Sequence, residues 1–559
     1  MGLLDPVPLP YDALEWDREP FERKSRMVCR AWALQGYGAP LTVLVLYALK
    51  IGLYVGGWLL FCSRSPGLED PLAVAQWWGE PVAFVKAILW SLMFEGMGLG
   101  CGSGPLTGRY HPPIGGLLYF FRPGTTKRPP WPGLPVLGGP TRGLVDVALY
   151  ALVLLALLRA LLSPTPGLAE LWPVAVLIPL VGLADATIFL ALRAEHYWVT
   201  VMCFVLAPGQ ISDQAWIAGA KWVQLALWLW AGVSKLNHHF PAVVCVMTSN
   251  SPLLRARWLR RRMYRRYPDD LRPSRLAVAM AHAGTALELG VPVVLLAAGA
   301  DPVWLAVGLA MMVALHAYIT SNVPMGVPLE WNVMVVYGGA FLFGAHADVS
   351  PWAVGSTPLG ALLLVTCLGL PLVGNLWPRA ISFLLSMRYY AGNWAYSVWL
   401  FRGESYRKLD RLTKSAPWIH DQLARFYDRR TAVGMVGMVM AFRLMHLHGR
   451  ALQILLPTAV DRVEDYFWAD GELVAGLALG WNFGDGHLHD ERLLANLQAQ
   501  CGWEEGELRC IFVESQPLWG SRLQWRIHDA KTGLRAEGSV EVARLRALQP
   551  WPQRGPTAT

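Results

Sequence analysis

Charged side chains are scarce in this chain: Lys, Arg, Asp and Glu make up 16% of 559 residues, against 54% hydrophobic residues and 27 Trp. A soluble core of this size needs far less apolar material, so the composition excludes a soluble globular protein and points to a membrane protein. Clustered cysteine is also missing. The eight cysteines (Cys29, Cys62, Cys101, Cys203, Cys245, Cys367, Cys501 and Cys510) have no CxxC or zinc-ligand spacing. They read as small hydrophobes, not as a disulfide framework. A cleavable signal is absent from residues 1–30. Asp5, Asp12, Glu15, Asp17 and Glu19 precede Arg23, Lys24, Arg26 and Arg30, with no short apolar stretch before a small-residue cleavage site. Residues 1–40 are therefore expected to form a cytoplasmic, interfacial arm. The net charge of +8 does not point to nucleic acid, because the basic residues fall in short loops between apolar runs, where positive-inside bias places them.

What is present is a series of apolar runs near the length needed to cross a bilayer. They fall at 41–62, 81–99, 144–162, 172–192, 216–236, 276–298, 303–319, 331–345 and 359–376, with a further run at 433–456 interrupted by Arg443, His446, His448 and Arg450. That last run is either an interfacial helix or a polar-lined span. The expected architecture is an all-α polytopic integral membrane protein of about ten transmembrane helices, occupying residues 41–380. An aromatic and basic stretch, 381–460, follows as an amphipathic connection. Residues 461–559 are soluble in composition and read as a small α+β cap, with a helix near 490–500 and strands near 508–515, 523–529 and 537–543.

Several residues carry candidate chemistry. The 216–240 run ends in Ala231-Gly-Val-Ser-Lys235-Leu, then Asn237, His238 and His239. A lysine there either reaches water by snorkelling or sits in a polar cavity, because an ammonium facing lipid costs several kcal/mol. Upstream, glycines alternate from Gly96 to Gly104. With Gly98, Gly100 and Gly102 exposing backbone N–H groups, and Arg109 and His111 beside them, this stretch is either an anion- or quinone-binding loop or a flexible turn. His196 opens a short apolar run, Glu288 lies within a span and His316 near a span end; each is costly in the membrane unless partnered. Seven arginines between Arg255 and Arg266 suit anionic lipid headgroups or serve as a topology signal. Two HxH elements raise a metal. His446 and His448 lie in a helical pattern, which points them about 200° apart, whereas His487, His489 and Asp490 lie in a loop and form the better candidate set.

The 216–240 helix with its Ala-Gly-Val-Ser-Lys-Leu ending resembles the signature helix of the HTTM superfamily, to which the vitamin K-dependent carboxylases belong. The resemblance continues in order through Ala286-Leu-Glu288-Leu-Gly290 and Leu315-His316 to Pro328-Leu-Glu330-Trp331, covering about residues 140–350. The whole chain is also similar to a bacterial family of long multi-span proteins known as a domain of unknown function. The resemblance implies a multi-pass protein of the bacterial cytoplasmic (inner) membrane acting on a quinone or other lipid-soluble substrate, with a reduced quinone as substrate or cofactor and membrane lipids as partners. It further implies Lys235 as a base, His196 as a histidine that pairs with it, and Glu288 and His316 orienting the quinone oxygens. His238 and Asn237 would lie at the substrate. A lysine works as a base near neutral pH only if its surroundings lower its affinity for the proton from an ordinary pKa of about 10.4. The carboxylases carry a large non-membrane C-terminal portion that the region after Leu376 does not match, so protein glutamate carboxylation is not implied. The alternative function, from a different class, is non-catalytic lipid binding or transport.

Overall fold

Leu41–Cys62 is a 22-residue helix of leucines, valines and aromatics with a single internal cation, and almost all of it is exposed on the protein surface, as a lipid-facing helix must be. In the computed structural model of the chain, which describes residues 4–100, 115–209, 214–323, 328–381, 388–482 and 484–553, four more helices are long and apolar enough to cross a membrane. They are Leu144–Leu162, Arg275–Ala298, Pro302–Thr320 and Thr357–Leu376. The count among described residues is five, or six if a bent pair described below is one span, not the expected ten.

Two of the remaining apolar runs are inner helices. Pro81–Gly96 and Ala215–Ser234 are buried along nearly their whole lengths, including Lys86, Lys221 and Gln224. Leu168–Ala184, Tyr197–Leu206, Phe240–Asn250 and Leu329–Ala345 are shorter apolar helices. A helix enclosed by protein is as apolar all round as one enclosed by lipid, so apolar runs alone overcount crossings. The 172–192 run is broken at Asp185, which caps the helix that follows and pairs with Arg142 at 2.5 Å.

The cap is built on a five-stranded antiparallel sheet with the spatial order Tyr466–Asp470, Tyr396–Arg402, Leu508–Val513, Arg522–Asp529 and Gly533–Glu541. Two of these strands were not expected. Tyr396–Arg402, placed by sequence in an amphipathic connection, is buried along six of its seven residues and pairs on both sides, as Trp399 does with Ala469 and Cys510. A strand covered on both faces loses the apolar–polar alternation by which strands are recognised. The cap therefore draws on residues well before 461.

Helices Arg429–Met445 and Leu447–Ala459 meet at a 99° bend. Residues 437–449 are continuously buried, and the first helix packs against the arm helix Phe21–Gln35. Arg443 pairs with Asp470 at 2.5 Å and with Glu472, all three fully buried. The arm covers one side of the bend and the cap the other, which buries its central residues.

The basic loops converge on the cap. Arg128 pairs with Asp490 at 3.0 Å, Lys127 with Asp146, and Thr125 bridges Thr413. Arg30 of the arm pairs with Asp269, while Gln549 accepts the Leu271 N–H at 2.9 Å. Arm, arginine-rich loop and cap thus lie together, at the ends of the spans that carry the basic loops. The described cysteines are all free and buried.

Candidate functional site

The Ala215–Ser234 helix ends one residue before Lys235, whose N–H bonds back to the Gly232 carbonyl at 3.1 Å. Asn237 Oδ1 then accepts the N–H groups of His239 at 2.6 Å and Phe240 at 3.2 Å, which starts the next helix, Phe240–Asn250. Leu236 and His238 face outward from this turn, whereas the Lys235 side chain points into protein. Its side chain is 8% exposed, and its ammonium pairs with the Glu288 carboxylate, 6% exposed, in the span Arg275–Ala298. Snorkelling is excluded.

Gly232 is what lets these helices meet. A Cβ there would lie 2.6 Å from the Leu289 side chain and 3.2 Å from its backbone nitrogen. Small residues at helix crossings permit this close approach in membranes. Pro292, one turn after Glu288, has no N–H for the Glu288 carbonyl, which loosens the helix at the same level.

The pair opens on a cavity of about 130 Å³. Its wall is formed by Trp228, Ala231 and Phe240, by Val243, Val244 and Met247, by Gly284, and by Trp331, Asn332 and Val335, with Asn322 and Tyr390 at the cap side. Most of this surface is apolar. An apolar cavity of about 150 Å³ holds one benzene-sized ring, so this one has room for about a single ring beside the ion pair. Phe240 places its ring 5.4 Å from the Lys235 ammonium, a cation–π contact. Two opposite charges removed from water each lose several kcal/mol of solvation, so neither is retained here without the other. Together they offer a ligand one donor and one acceptor with no net charge.

His316 has both ring nitrogens occupied. Trp228 Nε1 donates to His316 Nε2 at 3.1 Å, and His316 Nδ1 donates to Asn332 Oδ1 at 2.7 Å. The Asn332 amide is oriented by its own donation to the Pro328 carbonyl at 2.8 Å, so the imidazole is the neutral Nδ1–H tautomer. His316 holds Trp228 in the cavity wall and has no nitrogen free for a ligand. Its expected role as a catalytic group becomes a positioning one.

The family of transmembrane proteins of unknown function (DUF3556) matches the chain over residues 1–559. The chain belongs to this family. No curated protein and no solved structure matches it. Membership adds a transmembrane assignment to the geometry and leaves the chemistry to be read from the site.

The other expected site residues scatter. His196 does not pair with Lys235: its Nδ1 accepts from Trp331 Nε1 at 3.1 Å, and it does not line the cavity that Trp331 helps to wall. His238 is exposed, and Asn237 is a helix cap. Gly98, at φ +74°, packs against Gly116, and a Cβ on Gly100 would lie 1.6 Å from the Glu95 carboxylate. These two glycines serve close packing beneath Lys50, which donates to the Gly100 carbonyl at 2.8 Å and pairs with buried Glu330 at 3.4 Å. Gly102, Arg109 and His111 lie outside the described residues.

The metal set does not assemble. His487 bonds Glu514 at 2.8 Å and lies 3.5 Å from Asp485; burial opposes its charge, but these carboxylates outweigh it and push it up to about 10. His489 turns instead to Ser397 Oγ at 2.6 Å, and burial pushes it down to about 3. Asp490 caps the helix Glu491–Cys501 and pairs with Arg128. Among the described residues, no group of three or more His, Cys, Asp or Glu side chains is placed to hold a metal. His446 and His448, expected on opposite sides of one helix, are instead stacked with ring centroids 5.5 Å apart, because the helix breaks at His446.

Sequence reasoning missed Trp228, Asn332 and His239. The last is 1% exposed and bonds Gln516 at 3.0 Å, tying the turn after Lys235 to the cap. Both histidines after the lysine were visible, but only His238 was assigned to the site; a buried and an exposed histidine in tandem look alike in sequence.

Proposed function

We propose that the Lys235–Glu288 cavity takes a quinone or other lipid-soluble molecule from the membrane and exchanges a proton with an oxygen on its ring. The observation that carries this reading is a buried ion pair facing an apolar, ring-sized cavity in the membrane domain. In the resting state the lysine is an ammonium, which is no base. Transfer of its proton to Glu288 gives an amine and a carboxylic acid without changing the net charge of the cavity. The amine then takes the proton of a ring hydroxyl of the reduced quinone, leaving the ring oxygen as an anion beside the restored ammonium, with the lysine's first proton held on Glu288. The likeness of 216–240 and the following helices to the HTTM signature supports the same assignment, in a multi-pass protein of the bacterial cytoplasmic membrane.

A second reading, lipid binding or transport without chemistry, draws on the same cavity used only as a holder. Lys235→Arg separates the two, because arginine keeps its charge at all accessible pH. In complementation of a strain lacking the gene, proton exchange predicts failure of Lys235→Arg. Full activity of that variant, with normal protein levels, refutes the base and leaves the binding reading.

A further inference from the structure

Residues 253–266 join the Phe240–Asn250 helix to the span Arg275–Ala298, so they lie at the membrane surface on the cap side. The short helix Arg257–Arg262 and the hairpin strand Tyr264–Arg266 present Arg255, Arg257, Arg261, Arg262, Arg265 and Arg266 to the outside, all exposed. Arg260 alone turns inward, donating to the Leu34 and Ser251 carbonyls. The nearby acids are already taken: Asp269 pairs with Arg26 and Arg30, and Asp270 with Arg272. Among the described residues, none of the six exposed arginines is in an ion pair. Arg255 and Arg265 donate through Nε to the Pro252 and Pro273 carbonyls, which directs their remaining donors outward.

Apolar side chains stand among these cations. Trp258 is 61% exposed and Leu253 is 78% exposed. Arg262 lies 5.3 Å over the Trp258 ring and Arg261 5.5 Å over Tyr267. An exposed tryptophan beside unneutralised guanidiniums matches the two layers of a bilayer surface, ring at the headgroup boundary and cations at the phosphates.

We infer that this arginine platform docks the headgroups of anionic phospholipids. Guanidinium groups bind phosphate oxygens in a two-pronged geometry, and several cations close together hold several headgroups at once. The platform links two walls of the cavity, the helix with Val243, Val244 and Met247 and the span with Glu288, so docked lipid braces both. This inference does not depend on what the cavity binds.

The test uses the purified full chain in neutral detergent with equal amounts of phosphatidylglycerol and phosphatidylcholine of the same acyl chains, with bound lipid read by native mass spectrometry. Phosphatidylglycerol should predominate on the wild-type chain and fall off with added salt. At roughly fivefold per cation near a charged surface, the R255Q/R257Q/R261Q/R262Q variant should lose on the order of several hundredfold in preference. The same four positions changed to lysine should keep most of it, and this variant decides the matter if the glutamine variant does not fold. Neutralising Lys531, Arg535, Arg544 and Arg546, exposed on the cap, should change nothing. Equal retention of the two lipids, an equal loss from the cap variant, or complete displacement by excess inorganic phosphate at constant ionic strength would overturn lipid docking.

Discussion

Removing one partner of the Lys235–Glu288 pair tests whether the two behave as a single buried unit. Their side chains are 8% and 6% exposed, and the surrounding wall is apolar, so Lys235→Met strands a carboxylate and Glu288→Met strands an ammonium. Breaking a buried pair from one side costs about 3–5 kcal/mol, whereas replacing both partners by apolar groups of similar volume is close to neutral. The two single variants and the Lys235→Met/Glu288→Met double variant complete a double-mutant cycle. Reversible unfolding in mixed micelles of dodecyl maltoside and sodium dodecyl sulfate measures each corner. The expected coupling is about 3 kcal/mol or more, with the double variant more stable than either single one. Ordinary polar contacts between membrane helices couple by about 0.6 kcal/mol. A coupling no larger than that, with the double variant as unstable as the sum of the singles, would refute a desolvated pair.

Gly232→Val places new atoms against the Leu289 side chain and backbone, and overpacking of this kind costs about 1–3 kcal/mol. Trimming Leu289 to Ala should restore only part of that loss, because the backbone nitrogen stays in the way; full recovery in the same unfolding assay would argue against a close helix crossing. Asn332→Leu removes the acceptor of the His316 Nδ1–H, at a cost of about 1–3 kcal/mol in thermal unfolding, and Asn332→Asp should recover the hydrogen bond. His487 is pushed up to about 10 in the folded cap, so its stabilising contribution is complete below about pH 6.5 and is lost as pH rises through the folded value. The fall spans up to about 5 kcal/mol. The protection factors of the Ile511 and Ile527 amides, corrected for intrinsic base-catalysed exchange, should fall over that range, and His487→Gln should flatten their pH dependence; protection that does not change with pH would mean that the carboxylates do not govern its charge.

Much of the membrane character was legible in residue order, and several particulars were not. Lys235 and Glu288 each stood out because an ion in an apolar run needs a partner. That they partner each other depends on Gly232 and Leu289, 57 positions apart, allowing two helices to touch, and nothing local encodes that contact. His316 was visible as a histidine in a span, but its tautomer is set by Asn332 and Trp228 on two other helices. The apolar run at 215–234 reads like a span although it is buried in protein, since both environments select the same side chains. Strand Tyr396–Arg402 was hidden by burial on both faces, and the break at His446 lies in a run with no proline or glycine at that position to announce it.

The proposed function requires that the cavity beside Lys235 and Glu288 hold a lipid-soluble molecule. Gly284 lies on its wall, and a Cβ there meets only the Phe240 ring at ordinary contact distance, so Gly284→Leu adds apolar volume to the wall while leaving both members of the ion pair in the sequence. Mass spectrometry of lipids extracted from gently purified wild-type and Gly284→Leu protein gives the direct measurement. A quinone or comparable ring-bearing lipid retained by the wild-type chain and absent from the folded Gly284→Leu variant is the predicted result. The same extracted lipids from both proteins, or phospholipid alone from the wild type, would contradict it.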